Sequence, residues 1–132
     1  HTTSTQQYRA VVGERGTGST TGRVVVRPAT RGTVAHQATR ALLLHPAAQA
    51  NVRPWLEILA EDVQCTHAAA VGRLDDDALF YLRSRGIPVD AARRMLVQAF
   101  VSEVLDPIAE PWLRDRLAAV VDVRLAEEGV GR

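Results

Sequence analysis

Lysine is absent from this sequence, and cysteine occurs once, at Cys65. A lone cysteine excludes an internal disulfide and suits a reducing compartment, so the expected location is the cytoplasm. The 16 basic residues are all arginine and face 15 acidic ones, which leaves a net charge of +1. That balance offers no excess for holding nucleic acid by counterion release. Aromatic residues make up only 5% of the chain, so a core must rest on Val, Leu and Ala. No apolar run approaches the roughly 20 residues needed to cross a bilayer, and no basic-then-apolar leader is evident. Neither nucleic acid nor membrane is therefore expected as a partner. What remains is a globular composition, 46% hydrophobic over 132 residues, enough for a modest core. The chain opens on His1 rather than Met, and the expectation is a C-terminal piece of a longer protein.

Two halves differ in period. Residues 1–72 hold most of the Gly and Thr, with strand-like runs at YRAVV (8–12), GRVVVRP (22–28), ALLLH (41–45) and WLEILAEDVQCTHAA (55–69). The segments GERGTGSTT, ATRGTVAHQATR and PAAQANVRP between them are rich in turn formers and are expected as turns. The strand centres recur at roughly 13–18 residues, a spacing that suits successive turns of a wound β structure. Asn-Gly and Asp-Gly, the common hairpin dipeptides, are missing. A wound β-solenoid and a fragment of an antiparallel sandwich both remain open on this pattern.

Residues 73–132 read as three helices. Asp75 suits an N-cap, and the run Asp75-Asp76-Asp77 places carboxylates at the positive end of a first helix. Gly86 supplies its left-handed stop. A second helix runs from Pro88 and Asp90 to about Leu105, with Ala92, Met95, Leu96, Ala99, Phe100 and Val104 as an apolar stripe. Pro107 ends it. Pro111 opens a third, lined by Leu113, Leu117, Val120, Val121 and Leu125, and EEGVGR is expected to fray. The helices can pack on one another or cover the end of the β structure, which would otherwise leave backbone groups unpaired.

The chemistry-bearing candidates are few. Cys65 and His67 stand two apart, so in a strand they share a face with Val63 and Ala69. Facing inward, Cys65 is a small apolar filler. Facing a partner, the two offer sulfur and imidazole to iron. Two ligands from one strand cannot complete a four-ligand site, so any cluster would need a second chain. His36 and His45 fall in turn segments and read as solvated. GERGTGSTTG lacks the Gly-Lys-Ser/Thr ending and is not a Walker A loop. Arg83 and Arg85 suit the negative end of the first helix or a phosphate. Phe80, Tyr81 and Leu82 are consecutive, so one helix face cannot bury all three.

The ordered set Leu56-Glu57-Ile58, Asp62-Val63-x-Cys65-x-His67 and Phe80-Tyr81-Leu82-x-Ser84-Arg85-Gly86-Ile87, with ARRMLVQAFVSEVLDPI after it, resembles the C-terminal region of the SufB/SufD family of iron–sulfur cluster assembly scaffolds, on its SufD side. The resemblance spans most of the chain. It implies a mixed fold, β plus α: residues 1–72 would be the C-terminal coils of a right-handed parallel β-helix, and residues 73–132 a small helical domain. It also implies a non-catalytic scaffold with two kinds of partner. One is a SufC-type ATPase, met by the helical domain around Asp75, Leu79, Phe80, Tyr81, Arg83 and Arg85. The other is a SufB-type chain paired through the β-helix, or a second copy of this chain. The iron–sulfur cluster would be transient and shared, with His67 and Cys65 as this chain's donors and none held stably by this chain alone. Two departures stand out. A cysteine used by SufB aligns near Thr39. The SufD segment Cys-Ser-His-Gly-Ala-Thr reads Cys65-Thr66-His67-Ala68-Ala69-Ala70 here, without the Gly that permits close backbone approach.

Two other functions compete. One is a homodimeric structural module with no metal role. The other is a β-helical hydrolase using Asp62 with Glu57 or Glu61, since paired carboxylates suit that chemistry.

Overall fold

The computed structural model describes residues 1–130. The chain divides into two compact units, His1–Gly72 and Arg73–Arg132, the last two residues of which lie outside the described range.

The first unit contains five strands: β1 (Thr2–Val12), β2 (Thr17–Val26), β3 (Thr33–Leu43), β4 (Gln49–Ile58) and β5 (Val63–Arg73). They form two sheets, β1-β3-β5 and β2-β4, so the chain alternates between sheets at every step. All are parallel. Gln6 pairs with Gln37 and Tyr8 with Thr39 in the first sheet, and Thr20 pairs with Val52 in the second. Parallel pairing excludes the antiparallel sandwich. Hairpins could not build it, because parallel neighbours require a crossover. The corners stack as well as the strands: Leu44 N donates to Val12 O (2.9 Å), Gln49 N to Gly16 O (2.9 Å), Leu59 N to Val26 O (2.9 Å) and Gly32 N to Asp62 O (2.8 Å). Backbone groups leaving one turn are thus satisfied by the next.

Three expectations about this half are corrected. Residues 33–40, expected as turn, form most of β3, the most deeply buried strand. Its inward row is Ala35, Gln37, Thr39 and Ala41. Small side chains suit the narrow space between the two sheets, so the strand carries none of the bulky β-branched run that usually advertises one. The turn-like stretches 13–21 and 46–54 likewise yield to β2 from Thr17 and β4 from Gln49. The long run at 55–69 is two strands broken at residues 59–62, where the chain crosses from one sheet to the other.

The second unit contains α1 (Asp76–Ser84), α2 (Val89–Leu105) and α3 (Pro111–Glu127), with α2 packed against both others. Asp75 caps α1, its carboxylate accepting from Asp77 N (2.9 Å) and Ala78 N (3.1 Å). At the other end Gly86 takes φ +83°, where Ile87 N donates to Leu82 O (3.3 Å) and Gly86 N to Arg83 O (2.9 Å). This pair of bonds closes a Schellman motif. The same motif ends α3: Val130 N donates to Leu125 O (2.9 Å), Gly129 N to Ala126 O (3.2 Å), and Gly129 takes φ +69°. Val130 and Leu125 are both buried. The tail expected to fray is therefore a capped helix end as far as Val130; Gly131 and Arg132 lie outside the described residues.

Within α2 the buried residues are Ala92 and Val97, whereas Met95 and Ala99 of the expected stripe are exposed. The face is rotated because α2 packs against both α1 and α3 and not against a single flat surface. Gln98 Nε2 donates to Asp122 Oδ1 (2.7 Å) and ties α2 to α3. Val120, expected in the core, is exposed along with Trp112 and Val123.

Candidate functional site: the edge strand β5

The strand β5 bounds the three-stranded sheet, beside β3. The contact between His36 Nδ1 and Thr66 Oγ1 (2.7 Å) joins the two strands across 30 residues of sequence. It corrects the placement of His36, which lies in β3 and not in a turn. His45 does lie in a corner, where its Nδ1 accepts from Ala47 N (3.0 Å).

Side chains alternate along a strand. With His36 and Thr66 on the outer face, Cys65, His67 and Ala69 fall on the opposite row, the side on which Ala35, Gln37 and Thr39 of β3 are buried. The burial is not shared. Cys65 is half-buried, and every residue from Thr66 to Arg73 is exposed. The second sheet has two strands among the described residues against three in the first, so the inward row of the third strand is left uncovered. A cleft of about 210 Å³ crosses β1, β3 and β5 at residues 5–7, 36–38 and 66–68, so His67 lies level with Gln37 and Gln6.

What can this arrangement do chemically? One thiol, half-buried and outside any disulfide, stands one row position from one exposed imidazole. Both are competent donors to iron. Among the described residues no group of three His, Cys, Asp or Glu side chains is gathered closely enough to hold a metal ion. The pair therefore fits as part of a ligand set, not the whole of one. Thr39 is buried on β3 at 2% exposure.

The carboxylates weighed for hydrolysis fall in two places. Glu57 on β4 is engaged by Arg23 of β2, while Glu61 and Asp62 lie in the 59–62 corner beside Arg31, around a cleft of about 410 Å³.

The residues assigned by sequence to a docking surface cluster on α1. Phe80 is 74% and Tyr81 56% exposed, while Leu79 and Leu82 are half-buried. The Arg85 guanidinium stands over the Tyr81 ring at 5.1 Å, a cation–π contact that holds the ring on the surface. Arg83 is exposed. Asp75 is already committed to the helix cap.

Sequence reading passed over Gln6 and Gln37. Neither carries an obvious chemical signature. The usable signal was a Gln at an inward position of a strand whose other inward residues are Ala and Thr, and that signal needs the register to be seen.

Residues 1–100 match a family described as SUF system FeS cluster assembly, SufBD core domain. The chain is 34% identical over 122 residues to the iron-sulfur cluster assembly protein SufD of Escherichia coli, an overlap of 92% of this chain and 29% of that protein. It is 36% identical over 88 residues to SufD of Bacillus subtilis, covering 67% of this chain and 20% of that one. Against Protein ABCI7, chloroplastic, of Arabidopsis thaliana the identity is 44% over 95 residues, 72% of this chain and 20% of the relative. The chain thus spans less than a third of the curated relatives it matches. No helix among the described residues is long and apolar enough to cross a membrane. With a family match covering residues 1–100 and SufD relatives aligned along most of its length, the chain belongs to the SufB/SufD family of the SUF system and corresponds to that family's C-terminal region.

Proposed function

We propose that this chain is part of a non-catalytic scaffold subunit, cytoplasmic, that brings other subunits together around a nascent iron–sulfur cluster. In this reading residues 1–72 are the last coils of a right-handed parallel β-helix, and residues 73–132 are a separate helical domain. The edge strand β5 pairs with a SufB-type chain. His67, with Cys65 beside it, offers donor atoms to a cluster that is cargo shared across the junction. The face of α1 that carries Leu79, Phe80, Tyr81, Arg83 and Arg85, with Asp75 ordering its first turn, receives a SufC-type ATPase, which supplies the nucleotide chemistry this chain lacks.

The observation that carries the reading is the state of β5. From Val63 to Gly72 the strand holds no Asp, Glu, Lys, Arg or Pro, yet it lies at a sheet edge with residues 66–73 exposed. Edges that stay in solvent are usually blunted by charge, proline or a bulge, because bare strand edges recruit other strands. An unguarded edge with two metal-capable side chains on one row supports a junction with a second chain. The exposed Phe80 and Tyr81 support the docking half in the same way, since apolar groups gathered on a surface favour a covering partner.

The test is anaerobic reconstitution of the complete complex with His67→Ala. The reading predicts a loss of cluster yield with assembly intact. Normal yield would remove the metal role and leave the scaffold role standing. Sedimentation of the full-length protein, alone and with its SufB-type partner, separates heterodimer from self-pairing: the heterodimer is predicted, and a tight homodimer that the partner cannot displace would favour the purely structural module.

A further inference from the structure

Two buried polar side chains, Gln37 and Thr39, interrupt the apolar lining between the two sheets. Gln6 on β1 and Gln37 on β3 are register partners, and His67 on β5 lies level with them, one residue past the His36–Thr66 contact. Gln37 is 2% exposed. Its Nε2 donates to Gln6 Oε1 at 3.4 Å, while its own Oε1 is buried with no hydrogen-bond partner. The side chain fits there because residue 22 on β2 is glycine: a Cβ at Gly22 would collide with the Gln37 amide nitrogen.

Buried carbonyl oxygens almost always have partners, so a lone one asks for an explanation. The amide is planar, and its two arms point apart. With the nitrogen arm turned to Gln6 on β1, the oxygen arm is left for the other neighbour of β3. That neighbour is β5, and the residue there level with Gln37 that has a ring N–H to donate is His67.

We propose that Gln37 is a positioning residue for His67. Its carbonyl accepts one imidazole N–H, directly or through one water, and so determines which ring nitrogen keeps its lone pair free. Gln6 holds the amide against flipping, and Gly22 leaves the room for it. An imidazole with one N–H tied down presents the other nitrogen in a fixed direction, as partners behind metal-binding histidines commonly arrange. The inference rests on the reading of His67 as a donor to the cluster, but its own observable is the ring tautomer.

The experiment uses the full-length protein with ¹⁵N-labelled histidine at about pH 8, where a free imidazole is neutral. Loss of a signal in His67→Ala assigns the ring. The wild type is expected to show one tautomer, with the two ring nitrogens widely separated. Gln37→Met, similar in length but without the carbonyl, should collapse that separation toward the averaged value of free imidazole. Gln37→Glu, which keeps an acceptor, should restore it. If Gln37→Met does not fold, Gln6→Met, on the less buried β1, should narrow the separation by releasing the amide. A wild-type spectrum in the folded Met variants, or an averaged ring already in the wild type, would overturn the proposal. Ferrous iron binding by the complete complex is expected to weaken about 10-fold in Gln37→Met. Iron binding unchanged in His67→Ala would defeat the donor reading while leaving the tautomer result to judge Gln37.

Discussion

Strands β3 and β5 are neighbours in one sheet and nearly interchangeable in composition. One reads TVAHQATRALL, the other VQCTHAAAVGR. Both are built from Ala, Val, Thr, Gln and a histidine. Yet β3 buries Ala35, Gln37, Thr39, Ala41 and Leu42, while β5 buries none of its residues. The difference lies in position, not in hydrophobicity. The middle strand has a neighbour on each side and the second sheet above it; the edge strand lacks the outer neighbour and the cover. A strand with a middle strand's composition in an edge position is a surface built to be covered. That is why the site is assigned to β5 and not to the more conspicuous acidic and arginine clusters.

The comparison can be broken most directly by placing a charge on each strand in turn. Ala41→Asp on β3 is expected to lower the stability of the full-length protein by more than about 3 kcal/mol, because an unpaired carboxylate would be buried between the sheets. Ala69→Asp on β5 is expected to change it by less than about 0.5 kcal/mol in the free protein and to abolish pairing with the partner chain. Urea titration reads the first effect and sedimentation the second. Equal stability losses at the two positions would mean that β5 is already covered within this protein.

The helical unit offers the same contrast on a smaller scale. Val97 is fully buried on α2, whereas Val123 on α3 is 58% exposed. Val97→Ala is expected to cost about 2 kcal/mol through the cavity it leaves, and Val123→Ala close to nothing, by thermal or denaturant unfolding. Asp75→Ala, which removes the carboxylate that accepts from two backbone amides, should cost about 1 kcal/mol. It should weaken binding of the ATPase further if α1 is the docking helix, and calorimetric titration would measure that. A small effect is also expected at the outer face of the second sheet. Arg23→Ala breaks an exposed ion pair with Glu57 and should shift stability by no more than about 1 kcal/mol, less at high salt.

How much of this was legible in the residues depended on the kind of signal each element carries. The helices announced themselves. Asp75, Gly86, Pro107 and Pro111 mark ends by local chemistry, and local chemistry survives without tertiary context. Even so, Gly129 and Val130 hid a second Schellman ending inside a stretch that looked like a polar tail. The strands were harder, because a narrow two-sheet interior selects small inward residues, and Ala35, Thr39 and Ala41 do not stand out from a loop. The aliphatic runs at 8–12, 22–28 and 41–45 marked only parts of β1, β2 and β3. The shared face of Cys65 and His67 followed from spacing alone. The register that sets Gln37 beside Gln6 did not, since it depends on residues roughly 30 positions away becoming neighbours across strands, and no local rule reports that.

The central claim is that β5 is incomplete until a second chain covers it. Hydrogen exchange of the full-length protein, alone and with its SufB-type partner, tests that claim at the strand itself. The account predicts that amides from Val63 to Gly72 exchange much faster than those of β3 in the free protein, and slow markedly on adding the partner. Amides of β5 that are as protected as those of β3 in the free protein, and unchanged by the partner, would contradict it.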